Sequence, residues 1–241
     1  MNKLVLISAL LASVGVQAAQ AASVEAFANA TVQPAGPRTG SSGTNYFNIE
    51  GSDNGGFASY GVARFDLAAM KADFDALYGA GGWRVDNVVL ELTQSNAGFT
   101  TDGGVQIYFT GDDAVSIAND GTSPLSHPFA GDFADALLVK SYAFTEIGSG
   151  TVENHTLYLA GGANGAGGLS LAANILADNL VTLALVDADA AVAATYAGHT
   201  NSSYAGPTLS VSVAAVPEPE TYALMLAGLG LVGALARRRM A

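Results

Sequence analysis

The side chains in this sequence best placed for chemistry are carboxylates, and most of them sit in loops. GSDNGG at 51–56, TTDGG at 100–104, GDD at 111–113, NDG at 119–121 and VDADA at 186–190 each set oxygen-bearing residues in a short loop or turn. Calcium takes about six to eight oxygens, from carboxylates and backbone carbonyls together. Loops of this kind are candidate calcium sites, with Asp53, Asp112 and Asp113 as the leading ligands. The same residue types are also the ordinary formers of turns, and no D-x-D-x-D-G loop occurs. His127, His155 and His199 lie in SHPF, NHT and GHTN, far apart and without metal-ligand spacing, and read as polar-loop residues.

Nucleophilic chemistry has little support. The chain has no cysteine and no G-x-S-x-G elbow. Glu50 or Glu91 with an aspartate would meet the need of a glycosidase for two carboxylates, but any acidic chain offers such pairs. Saccharide binding calls instead for exposed aromatic faces ringed by polar groups. Tyr46, Tyr60, Trp83, Tyr108 and Tyr204 are the candidates. Tyr108 and Phe109 are neighbours in a strand-like run, so they point to opposite faces, one to the core and the other outward. Trp83 follows GAGG at a strand start, where packing over the end of the fold competes with ligand stacking.

The elements that must position these residues are strands. Runs of β-branched and aromatic residues at 23–32, 56–65, 85–93, 104–110, 137–144, 154–160, 179–186 and 208–214 alternate with Gly/Asn/Asp/Ser clusters. That spacing is the pattern of an all-β sandwich or barrel. Residues 66–78, DLAAMKADFDALY, break it: Met70, Phe74 and Leu77 fall on one helical face, Asp66 can cap the start, and Gly79 ends the helix. A second short helix fits 169–177. Both are expected to cap the sandwich.

Both ends differ from this body. MNKLVLISALLASVGVQAAQAAS has a basic start, an apolar run and an Ala19-Gln20-Ala21 site, the order of a secretory signal peptide. Cleavage is expected after Ala21 or Ala22, which gives a signal peptide at 1–22, a β-domain at 23–215 and a separate tail at 216–241. The body carries five basic residues against 19 carboxylates, a net charge near −14. Such a surface repels nucleic acid and anionic membranes. Without cysteine, an exported body of this kind must be held by its core or by ions. In the tail, VPEP precedes an apolar run at 222–236 and then Arg237, Arg238 and Arg239. Fifteen apolar residues fall short of the roughly 20 of a full span. The arginines would hold their end in the cytoplasm, and Gly228, Gly230 and Gly233 suit close helix approach.

Two resemblances follow. The tail resembles the PEP-CTERM sorting signal, with Pro217, Glu218 and Pro219 at the motif positions and Arg237 to Arg239 at the basic end. The resemblance implies an exosortase, a membrane-embedded cysteine transpeptidase, as partner together with the secretion machinery. It also implies a Gram-negative producer, a transient hold in the inner membrane, and delivery to the cell surface or extracellular matrix alongside exopolysaccharide. The body is similar to DNRLRE-type jelly-roll domains in ARFDL at 63–67, DNVVLELT at 86–93 with the following GVQIYFT, LVTLALVDAD at 180–189 and YAGHTNSSYAGPTLSV at 196–211, although that family's tryptophan-rich middle is absent. This resemblance implies a jelly-roll-like antiparallel β-sandwich and, in some relatives, polysaccharide binding. The expectation is a non-enzymatic exported protein, structural or adhesive. It needs no cofactor beyond a candidate calcium, has no nucleic-acid partner, and touches the membrane only through its C-terminal helix. The alternative is a secreted hydrolase of extracellular polysaccharide.

Overall fold

The structure, a computed structural model, describes residues 19–33, 36–38, 41–111, 113, 136–160, 170–216, 226–230, 233 and 237–238. Among these residues the chain forms an antiparallel β-sandwich with a few short helices. One sheet runs β1 (Gln20–Glu25), β12 (Thr208–Ala215), β6 (Trp83–Thr93), β9 (Val152–Thr156). The other runs β3 (Gly36–Pro37), β2 (Ala28–Gln33), β5 (Tyr60–Asp66), β10 (Leu180–Asp187), β7 (Gly103–Thr110), β8 (Ala136–Phe144). A ribbon of β4 (Tyr46–Glu50) and β11 (Ala193–Ala197) completes the body.

Alternation decides which face is core. On β12, Leu209, Val211 and Val213 are fully buried while the serines between them are not. On β6 the inward set is Trp83, Val85, then Val88, Leu90 and Leu92. The step from 85 to 88 breaks the period of two, and the pairing shifts register at that point, opposite Ser212 and Val213. A bulge there returns the second half of the strand to the core face. β10 is buried from Val181 to Val186, because it lies inside the larger sheet with apolar neighbours on both faces. Strands covered on both sides read as continuous apolar runs, as LVTLALV does. The outer face of that sheet carries its own cluster, with Val62, Tyr108, Ala184 and Val186. Tyr108 and Phe109 are therefore both buried, which corrects the expectation that one of them faces outward.

The helices cap one end. α2 (Ala68–Tyr78) begins two residues later than expected, yet the Asp66 carboxylate still accepts the Ala68 N–H at 2.9 Å. Gly79, at φ 82°, ends it. Met70 and Phe74 are buried, but Leu77 is 49% exposed, because the last turn overhangs the sandwich. α3 (Leu171–Ala177) is capped by Ser170, whose Oγ accepts the Ala173 N–H. A single helical turn, α1 (Ser41–Thr44), precedes β4. The expected strand at 23–32 is two strands, β1 and β2, with a break where the Phe27 N–H bonds to the Arg64 carbonyl at 3.0 Å and the chain changes sheets. β5 starts at Tyr60 because the residues before it coil in a 3-10 turn, Ser52–Phe57. Gly61 lets β4 approach β5: a Cβ there would stand 2.6 Å from the Phe47 ring.

β1 already begins at Gln20, so residues 20–22, placed by sequence in the signal peptide, pair with Val213, Ser212 and Val211. Among the described residues no helix is long and apolar enough to cross a membrane, and most of 222–236 lies outside them.

Candidate binding cleft

The β4–β11 ribbon builds the floor of an open cleft of about 680 Å³, within the ordinary size of ligand sites. Alternation on β4 sends Phe47 and Ile49 into the core and turns Asn48 and Glu50 the other way. Opposite Asn48 on β11 stands Thr195, and Asn48 Nδ2 donates to its Oγ1 at 2.9 Å. Arg38 reaches over from the end of β3. Its Nη1 donates to Asn48 Oδ1 at 3.2 Å, and its Nη2 lies 3.8 Å from Glu50 Oε1. Asn48 Nδ2 also donates to Glu50 Oε1 at 3.2 Å. Burial raises the Glu50 carboxyl above the usual carboxylate range, against the opposing pull of Arg38 and the Asn48 bond.

Two turns form the walls. The turn Ser52–Phe57 is tied down by Asn54 Nδ2, which donates to the Val192 carbonyl at 2.9 Å and the Gly51 carbonyl at 3.1 Å. The turn Ala97–Phe99 follows Asn96, which is left-handed at φ 54°. Thr101 N–H fixes that turn to the Ala193 carbonyl at 2.9 Å. Each turn ends in a phenylalanine at the rim. Phe57 is 64% exposed and Phe99 is 76% exposed. Open apolar rings beside a polar, charge-paired floor can stack on one face of a ligand while the floor bonds its hydroxyls.

Behind the floor lies a buried polar network. On β11, Tyr196 turns away from the cleft and its hydroxyl donates to Glu153 Oε2 at 3.0 Å. Tyr142 donates to the Tyr196 hydroxyl at 2.8 Å. His155 Nε2 lies 3.2 Å from Glu153 Oε2, with its ring stacked 3.9 Å from that of Tyr142. Gln94 donates to Glu153 Oε1 and to the Thr145 carbonyl, while its own oxygen accepts the Ile147 and Gly148 N–H groups. Burial raises the Glu153 carboxyl, but the bonds from His155, Gln94 and Tyr196 together win, so it lies below the usual range. Burial pushes the Tyr142 and Tyr196 phenols far above theirs.

The sequence candidates are scattered across this fold. Trp83 is buried under α2, its Nε1 donating to Asp75 Oδ1 at 2.7 Å and its ring 5.3 Å from Phe74. Trp83 and Tyr108 present no open face for stacking. Tyr46, Tyr60 and Tyr204 are half-buried, and none of these five aromatics lines the cleft. Asp53 is exposed, its N–H bonded to the Ala190 carbonyl beyond the end of β10. Asp113 lies near the opposite end of that strand, its carboxylate accepting from Thr182 Oγ1 at 2.6 Å and its carbonyl from Arg64. The two are not brought together, and Asp112 lies outside the described residues. Among the described residues no group of three His, Cys, Asp or Glu side chains is placed to hold a metal. Glu91 sits in the four-stranded sheet opposite Asn154 and Thr208, away from Glu50. His155 is buried rather than in a polar loop, and His199, half-buried, bonds to Asn29 Oδ1. His127, Pro217, Glu218, Pro219 and Arg239 lie outside the described residues, while Arg237 and Arg238 fall in short helical pieces. Phe57 and Phe99 escape notice in the sequence, yet each closes an Asn/Gly turn, DNGGF and NAGF, where an aromatic ring has few core partners.

Residues 215–239 match the family model of the PEP-CTERM protein-sorting motif. The match covers the tail alone, and a search of curated proteins found no match. The motif marks the chain for exosortase-dependent export to the cell surface, with processing by the exosortase on the way.

Proposed function

We propose that this chain is a non-enzymatic surface or matrix protein of a Gram-negative bacterium, and that its Phe57–Phe99 cleft holds an uncharged exopolysaccharide. Before processing, the apolar run at 222–236 lies in the inner membrane with Arg237, Arg238 and Arg239 on the cytoplasmic side. The strand orders β1-β12-β6-β9 and β5-β10-β7-β8 support a jelly-roll class for the body. The observation that carries the binding role is the pair of exposed rings over the Arg38–Asn48–Glu50 floor. Arg38 and Glu50 neutralise each other there, so the floor offers hydrogen bonds without net charge. The test is retention of the purified body in gels containing a neutral polysaccharide. Phe57→Ala and Phe99→Ala should each weaken retention by about tenfold, the loss of roughly 1.4 kcal/mol. Retention that ignores both changes would remove the cleft from the reading.

One observation favours the hydrolase alternative. Glu50 is a cleft carboxyl that burial shifts upward from the usual carboxylate range, the direction a general acid needs. Against it, Glu50 is the single carboxylate lining the cleft among the described residues, and glycosidases use two. Release of new reducing ends that Glu50→Gln abolishes would establish the hydrolase; binding reads as the function where no ends appear.

A further inference from the structure

Both ends of the folded body emerge at one pole. β1 opens at Gln20 beside Val213, and β12 closes at Ala215 beside Trp83. The last backbone bond of the body runs from the Val216 N–H to the Gly82 carbonyl at 2.8 Å. Pro217, the first proline of the sorting motif, is the next residue, so no spacer separates motif from fold. α2 and α3 cover this pole and are joined by Lys71, whose Nζ donates to the carbonyls of Leu176 at 3.2 Å and Asp178 at 2.6 Å.

The cleft lies at the other pole. β6 runs from Trp83 at the capped pole to Thr93, and the chain then enters residues 94–101, which form one cleft wall. At about 3.3 Å per residue, β6 alone sets the two ends on the order of 30 Å apart. The opposite wall agrees, since β5 leaves the Phe57 turn and ends at Asp66, beside α2.

We propose that the displayed protein stands on its capped pole. The face formed by α2, α3 and Val216 is turned towards the surface to which the tail commits the chain, and the cleft points outward. This rests on the sorting motif and not on what the cleft binds. Two physical facts fix the orientation. First, each residue of tether allows at most about 3.5 Å of reach, and the motif follows Val216 directly, with just Pro217 to Thr221 before the apolar run at 222–236. Second, β12 cannot lend length. It is paired on both sides, with β1 and β6, and peeling it away would expose Leu209, Val211 and Val213. The pole also offers apolar contact, with Leu77, Leu176 and Val216 each more than 40% exposed.

Site-specific labelling tests the orientation directly, since the chain has no cysteine of its own. Leu77→Cys and Arg84→Cys place thiols at the capped pole, and Ile147→Cys and Ser149→Cys place them near the cleft, where Ser149 Oγ accepts the Ala97 N–H. A bulky, membrane-impermeant maleimide is applied to intact producing cells, with each rate divided by that of the same variant as purified body. The cleft-pole thiols should react at their solution rate, and the capped-pole thiols at least about fivefold more slowly. Inserting 20 Gly/Ser residues between Val216 and Pro217 should abolish that difference, because a flexible linker of this length spans roughly 25 Å. Equal rates at both poles, protection that survives the linker, or no labelling at any position would each overturn the proposal. The glycan assay on the purified body is independent of all three.

Discussion

Glu153 shows how one carboxylate is made to hold two sheets together. It sits at the start of β9, in the four-stranded sheet, and accepts from Tyr196 on the ribbon and from Gln94 just past β6. Through Tyr196 it reaches Tyr142 on β8, in the other sheet. A buried charge is stable only where its oxygens are bonded, and here both are. The pKa direction fixes the sign of the pH effect. Because the folded carboxyl lies below its unfolded value of 4.5, its contribution to stability is complete above that pH and is lost as pH falls through the lower folded value. Glu153→Gln keeps the shape but removes the charge that the His155, Gln94 and Tyr196 bonds stabilise. Urea unfolding should show a loss of about 1–3 kcal/mol at pH 7, shrinking as pH falls below 4.5 and the wild-type carboxylate itself protonates. A loss that does not depend on pH would mean that packing, not charge, is what the network supplies. None of this was legible in the sequence, where Tyr196 stands 43 residues from Glu153 and 54 from Tyr142 and the assembly depends on register.

At the scale of elements, legibility followed burial. β6, β7, β10 and β12 are central strands with apolar residues facing a core, so alternation or a continuous apolar run announces them. β4 and β11 are a two-stranded ribbon whose sequences, YFNIE and AATYA, carry little apolar contrast, and they build the cleft floor. The site was thus hidden in the least patterned elements, and its rim in 3-10 turns that resemble plain loops. The strand most at issue is β1, because its first half overlaps the expected signal peptide. Cleavage after Ala22 would delete the pairs of Gln20, Ala21 and Ala22 with β12 and leave half a strand at the sheet edge. Val16-Gln17-Ala18 offers an earlier site with small uncharged residues at both reading positions. Mass spectrometry of the mature protein should therefore find Ala19 at its N-terminus, with β1 intact. A start at Ala22 or Ser23 would mean that the mature sheet does without the first half of β1.

Across the whole molecule, charge sorts the partners that the cleft can meet. The body stands near −14, with five cationic side chains. Arg38, the cation lining the cleft among the described residues, is already paired with Glu50. A polyanionic chain rich in uronate would face a like-charged body whose cleft, among the described residues, has no cation beyond the paired Arg38, whereas a neutral chain feels only the rings and the hydrogen bonds of the floor. Salt separates the two cases, because it screens long-range repulsion beyond about 10 Å at 0.1 M and leaves contact interactions nearly untouched. For a neutral polysaccharide, the Kd measured by calorimetry should change by less than about twofold between 50 and 500 mM NaCl. A uronate-rich chain of equal length should bind at least about tenfold more weakly at 50 mM and close part of that gap at 500 mM. Tight uronate binding that weakens with salt would instead require a cationic surface that the sequence does not contain, and would move the ligand away from this cleft.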